Sequence, residues 1–377
     1  MAWLVFELSG SALDLGLLGA VTAIPTIAAT LVGGIVADRF NRRSILVVTT
    51  SLSAVLLLVL TILDATGVVL VWHVLILSGI LGLVQGFDFP ARSSIFPALI
   101  ESNQMMSAVA LNSILWQGTR MILPGIGGIL IAIADTAFVF GVCAVGFVAM
   151  VCVLHTINVD QSSSGAGKPW REFSEGARFV IQNQLFRTLI ILTFSMHFFV
   201  TSYIQIMPIF ADLLGASERG YGLLVSITGV GSVIGTFSIA RFQQSRQLGR
   251  VILMSAALSP AVLLGFALLT SIPVTGELGF ILASIFVALS AAFGGAFLVG
   301  SMTVLQLIVP DELRGRVMGI HSITFSLIAL GGLMTGTLAS TFSAPIAVII
   351  GSALSLTLVF WAMFRHKEIW YLDGQRL

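Results

Sequence analysis

One charge, Arg120, stands near the middle of an apolar run, and no Asp or Glu lies at comparable depth in any other. A guanidinium at the centre of a membrane helix costs roughly 2.5–3.5 kcal/mol, so Arg120 should face a protein interior and find a partner there. It would either touch a substrate and couple protonation, or tie two helices together. His197 and His321 also sit among apolar residues. Imidazole titrates near neutral pH, so each could exchange a proton; the simpler alternative is a hydrogen-bonded packing residue. Trp116, Phe194, Phe198, Tyr203, Phe293, Phe297 and Met302, with Gln117 beside Trp116, could line an apolar, adaptable cavity for bulky amphipathic compounds. Pro124, Gly125 and Gly128 permit a bend and a tight helix contact in the same run as Arg120. A separate cluster, Gly34-Ile35-Val36-Ala37-Asp38-Arg39-Phe40-Asn41-Arg42-Arg43, joins two apolar runs. Glycine lets helices approach, and a carboxylate pairs with arginine or caps a helix N-terminus; the simpler alternative is that the three arginines merely anchor the inside face.

The elements that must hold these residues follow from composition. The 377 residues are 57% hydrophobic and 9% charged, against about 25% charged in a soluble domain. This excludes a soluble enzyme, a nucleic-acid-binding domain and a disordered chain, and leaves a polytopic membrane protein. Eleven apolar segments are long enough to cross: 12–37, 44–63, 68–87, 105–134, 136–157, 185–211, 220–240, 251–272, 278–309, 317–342 and 344–364. They are expected to be helices, because lipid leaves unpaired backbone groups unsatisfied. Of the 18 Lys and Arg, only Arg120 lies in a span and only Arg219 falls in one set of alternate connections; the rest lie in the other set. That asymmetry assigns the basic set, and the C-terminus, to the cytoplasm. Residues 158–184 form the one long polar stretch; after Pro169, Trp170, Phe173, Ala177, Val180 and Ile181 recur at helical spacing, as in an amphipathic helix on the cytoplasmic face. The organisation expected is an N-terminal bundle at 1–157, a linker at 158–184, a C-terminal bundle at 185–364 and a tail at 365–377. Asn112-Ser113-Ile114 and His321-Ser322-Ile323 echo each other across the halves. Cys143 and Cys152 read as packing thiols without metal-ligand spacing.

The Gly34–Arg43 string resembles the G-x-x-x-D-R-x-x-R-R signature of the major facilitator superfamily. Phe87-Asp88-Phe89-Pro90-Ala91-Arg92 resembles the loop after the fourth span in the third family of drug:proton antiporters, the transmembrane secretion effectors. Pro310-Asp311-Glu312-Leu313-Arg314-Gly315-Arg316 resembles its counterpart after the tenth span. Leu123-Pro124-Gly125-Ile126-Gly127-Gly128 is similar to the antiporter motif G-P-x-x-G-G with its first glycine replaced. The resemblance implies an all-α membrane protein with two six-helix bundles. Here eleven full spans would be joined by Trp3–Leu8 as the outer end of the first span, since six residues rise only ~9 Å. It also implies a cytoplasmic gate involving Gly34, Asp38, Arg39, Arg42, Arg43, Asp88, Arg92, Asp311, Arg314 and Arg316.

The expected function is export of small amphipathic or hydrophobic molecules (drug, macrolide or siderophore class) across the cytoplasmic membrane by alternating access. Proton antiport would drive it, with no cofactor, no metal, no ATP and no nucleic acid. The partners expected are the substrate and membrane lipid, and the chain is expected to act as a monomer. The alternative is an N-terminally truncated member that does not transport, or one coupled differently, for example to lipid or metabolite transport. No P-loop, H-E-x-x-H or G-x-S-x-G string appears, so neither ATP hydrolysis nor a membrane enzyme has a motif to rest on.

Overall fold

The computed structural model describes all residues except 102–103, 158–168, 243–244, 273–275 and 376–377. Among the described residues it contains helices and no strand: α1 (Ala2–Ser9), α2 (Ala12–Arg39), α3 (Arg42–Ala65), α4 (Val71–Ile95), α5 (Met105–Ala134), α6 (Thr136–Thr156), α7 (Pro169–Gln182), α8 (Gln184–Ser195), α9 (Met207–Leu213), α10 (Glu218–Ala240), α11 (Leu248–Thr270), α12 (Glu277–Ile308), α13 (Asp311–Thr341), α14 (Ala344–Arg365) and α15 (Lys367–Trp370). Eleven spans among the described residues are long and apolar enough to cross a membrane. One of them, Gln184–Leu213, is built from α8, α9 and the turns between them.

Short polar residues separate spans that would otherwise fuse. Asn41 turns the chain from α2 into α3, its side chain accepting from the backbone N–H groups of Arg43 (2.9 Å) and Ser44 (3.2 Å). Asp135 does the same between α5 and α6 with a backbone φ of 89°, accepting from Phe138 N–H at 2.9 Å. Among described non-glycine residues it alone has a positive φ. Asn183 caps α8 and Ser343 caps α14 in the same way. Gly10, at φ 61°, closes α1 in the left-handed conformation, and its N–H donates to the Phe6 carbonyl.

Three segments depart from the sequence expectation. The Phe87–Arg92 string is not a loop: α4 continues through Pro90 to Ile95. The hydroxyls of Ser93 and Ser94 donate to the Pro90 carbonyl, and Asp88 pairs with Arg92 one turn on, so side chains reinforce the helix where proline weakens it. α13 begins at Asp311 rather than 317, because Pro310 sits at the N-cap and the polar residues after it extend the helix beyond its apolar part. The 185–211 run is not one α-helix. α8 gives way to a π-turn at Met196–Val200 and a 3₁₀ stretch at Thr201–Ile206 before α9 resumes.

Packing sorts the helices into two sets. Before residue 158, α2 packs on α4 and α3 on α6 and α4; after it, α10 packs on α12, and α11 on α12 and α14. Two crossings carry most of the contact between the sets, α2 with α13 and α5 with α10, and α2 on the Thr201–Ile206 stretch and α1 on α9 add smaller ones. Both crossings use glycine. A Cβ on Gly16 would stand 2.9 Å from the Gly332 carbonyl, and one on Gly19 2.8 Å from the Ala329 carbonyl. Across the other pair, a Cβ on Gly128 would lie 2.8 Å from Gly222 Cα, and one on Gly222 2.6 Å from the Pro124 carbonyl. These helices therefore meet backbone to backbone. From Arg120 outward, all the glycine contacts between the sets lie on the half of the helices away from the arginine-rich connections. On the other half, Gly118 of α5 and Gly319 of α13 have nothing within 4 Å of a Cβ position.

Candidate functional site

Beneath the crossings lies a cavity of about 370 Å³. α5 contributes Gln117, Arg120 and Pro124; the broken span contributes Met196, His197, Val200, Thr201, Tyr203 and Ile204. α10 supplies Val225, Thr228, Gly229 and Ser232, α11 Ser259, α12 the face from Ser290 to Leu298, and α13 Phe325 and Ile328. On α5, Gln117, Arg120 and Pro124 share one face because they fall three and four residues apart.

Arg120 is exposed at this wall, and among the described residues it has no hydrogen bond or ion pair. Its own backbone forms part of the crossing, since a Cβ on Gly229 would come within 2.8 Å of the Arg120 carbonyl. The expected helix-to-helix partner for the guanidinium is therefore not among the described residues.

His197 sits in the π-turn, where the extra residue per turn directs its ring to the cavity wall. Thr324 donates its hydroxyl hydrogen to the His321 carbonyl at 2.5 Å, so at 3.2 Å from His197 Nδ1 its oxygen must accept. That assigns the hydrogen of neutral His197 to Nδ1 and leaves a lone pair on Nε2, which is buried and unpartnered among the described residues. Phe325 packs over the ring, with centroids 4.5 Å apart. His321 is buried behind this layer and off the wall.

Other residues singled out in the sequence have different positions. Trp116 is half exposed and Phe297 is fully buried within the second set; neither lines the cavity. Phe198 stacks on Phe194 at 5.2 Å, and its backbone packs against Gly331. Gly125 and Gly128 belong to the crossing, against Ser226 and Gly222. Tyr203, Gln117 and Pro124 do line the cavity.

Sequence reasoning missed the hydroxyl-bearing wall. Ser259 and Ser290 bind α11 to α12 reciprocally, each donating to the other's carbonyl at 2.9 and 3.0 Å. The available signal was spacing: Thr228 and Ser232, like Ser290 and Gly294, are four apart and share a helix face.

At the arginine-rich end, the described gate candidates are held within their own neighbourhoods. Asp88 accepts from Thr49 Oγ at 2.9 Å and pairs with Arg92 Nε at 2.8 Å. Arg42 donates to the Ser94 carbonyl at 3.2 Å. Arg43 reaches the end of α6, donating to the carbonyls of Leu154 (2.8 Å) and His155 (2.6 Å), where the helix dipole favours a cation. On the other set, Arg316 pairs with Glu175 of α7, and Gly176 of α7 packs against Arg316. Arg314 is also engaged. The side chains of Gly34, Asp38, Arg39 and Asp311 lie outside the described residues.

Comparison with known proteins agrees with this geometry. The chain is 27% identical to the multidrug efflux pump Tap of Mycolicibacterium fortuitum, over 89% of this chain and 83% of that one. It is 25% identical to the enterobactin exporter EntS of Escherichia coli, over 89% of this chain and 81% of that one. Its fold matches a variant of the nucleoside transporter NupG with a TM-score of 0.76 at 15% identity, covering 97% of this chain and 94% of that one. It matches a bacterial homologue of the iron transporter ferroportin in its inward-facing state with a TM-score of 0.72 at 16% identity, covering 96% and 94%. The family model described as transmembrane secretion effector matches residues 1–370. With a cavity lined by helices long and apolar enough to cross a membrane, and a family match over nearly its whole length, this chain belongs to the transmembrane secretion effectors, a family of major facilitator transporters.

Proposed function

We propose that this protein exports small amphipathic or hydrophobic molecules across the cytoplasmic membrane by alternating access, in exchange for protons. The observation that carries the reading is the asymmetry of the cavity. Glycine crossings join the two helix sets on one side of Arg120, while Gly118 and Gly319 stand clear on the other. With the basic connections on the cytoplasmic side, the open side faces the cytoplasm, where an exporter loads. The efflux functions named for Tap and EntS support the same direction.

The two sets, 1–157 and 185–364, act as the moving halves, with 158–184 as the tether and 365–377 as a cytoplasmic tail. His197, the one imidazole on the described wall, is the group such a proton exchange would use. The test is uptake of an aromatic dye panel by everted membrane vesicles that carry the protein, energised and then treated with a protonophore. Energised uptake of at least one dye that stops with the protonophore is expected. No protein-dependent uptake would refute export, and uptake that survives collapse of the gradient would refute the proton exchange.

A further inference from the structure

We propose that the cavity reads a negative charge, and that its substrates are amphipathic acids: a carboxylate, sulfonate or phosphate ester on an apolar body. This rests on the export reading only in taking the cavity as the substrate site.

Arg120 is the one formally charged side chain on the described wall, and no Asp or Glu accompanies it there. A guanidinium carries five donors, and none of Arg120's is met by the described protein. Four of the hydroxyls on the wall are already engaged with the backbone. Thr228 donates to the Val225 carbonyl, Thr201 to the Met196 carbonyl, and Ser259 and Ser290 to each other's backbone. The donors left to a ligand are those of Arg120, those of Gln117 one turn away on the same face, and the neutral hydroxyls of Ser232 and Tyr203; Arg120 alone among them carries charge. An anionic group with two oxygens satisfies a guanidinium bidentately. The rest of the wall, including Met196, Val200, Ile204, Leu298, Phe325 and Ile328, suits an apolar body. An organic cation would meet a like charge with no carboxylate to offset it, so the site also selects against cations.

The experiment is calorimetric titration of the purified protein in maltoside micelles, without anionic lipid, using three probes on one ring system. The probes are 2-naphthoate, 2-naphthamide and 2-naphthylmethylammonium. Naphthoate is expected to bind about tenfold or more tightly than the amide, as a charge-assisted bond implies, and the ammonium not to saturate. Arg120→Gln should bring naphthoate and amide level, while Arg120→Lys keeps part of the preference; size-exclusion profiles check that each variant is folded. Absence of naphthoate binding, equal binding of the three probes, or a preference that survives Arg120→Gln would overturn the proposal. Because arginine keeps its charge, the preference must persist from pH 6 to pH 9. Loss on the alkaline side would assign the charge to the histidines His197 or His321 and overturn the role of Arg120. Vesicle transport run in parallel separates the two readings. Anion preference without export refutes the function and leaves the site; export without anion preference refutes the site alone.

Discussion

Replacing Gly222 by alanine should push the transporter away from the state described here. A Cβ at this position would stand 2.6 Å from the Pro124 carbonyl and 2.8 Å from Gly128 Cα. Ordinary van der Waals contact begins near 3.4 Å, so the α5–α10 crossing must part by the better part of an ångström. Overpacking of this kind costs about 1–3 kcal/mol, and the cost falls only on the conformation in which the helices touch. The gain in helix propensity from alanine, about 1 kcal/mol, applies to every conformation and cancels. The population of the closed crossing should therefore fall about 5- to 150-fold relative to its alternatives.

The control is one residue from the crossing partner: Gly127 of α5 has nothing within 4 Å of its Cβ position, so Gly127→Ala should change nothing. The assay starts from a variant with Cys143 and Cys152, both exposed and free, replaced by serine. A single cysteine at Ile204 on the cavity wall then reports which face admits an impermeant maleimide. Wild type and Gly127→Ala should label from the arginine-rich face, and Gly222→Ala should shift labelling toward the opposite face. If Gly222→Ala labelled like the control, the crossing would not be what closes that face.

Three further perturbations follow from described contacts and from the gate motif. Arg43→Gln removes a cation from two carbonyls at the end of α6 and should lower stability by about 1.5–3 kcal/mol, read from thermal unfolding in detergent; an unchanged melting point would refute the tie. Glu175→Gln weakens a partly exposed pair worth under about 1 kcal/mol, so amide exchange in Pro169–Gln182 should rise by no more than about fivefold; no change would mean that α7 is held elsewhere. Asp38→Asn should leave insertion intact and reduce vesicle transport; wild-type rates would remove Asp38 from the gate.

The spans were legible because lipid imposes one rule, long apolar runs in helices, and that rule leaves few choices for runs such as 44–63 or 251–272. The charge asymmetry and the Gly34–Arg43 and Pro310–Arg316 strings were legible because they lie at the ends, where polar residues stand out against apolar neighbours. The interior of the 185–211 run was not. Met196–Ile206 is as apolar as its surroundings, and its departure from α geometry depends on what packs against it, such as Phe198 and Phe199 on Gly331 and Gly351. Arg120 was visible as an anomaly by charge alone. Its lack of a described partner depends on the position of every neighbouring helix. Phe297 and Trp116 show the converse: aromatic character says nothing about which face of a helix a ring occupies when both faces are apolar.

The broken span Gln184–Leu213 has a mechanical consequence. Six residues of 3₁₀ helix, Thr201–Ile206, rise about 12 Å, where the same six in α geometry would rise about 9 Å. Interchange between the two windings alters the length of the span by about 3 Å without breaking the chain's hydrogen-bonded ladder at either end. Ile204 and Tyr203 would ride on that change, and α9 would shift along the span relative to α8 by the same distance, so movement of the cavity wall and movement of the outer end of this span are one event.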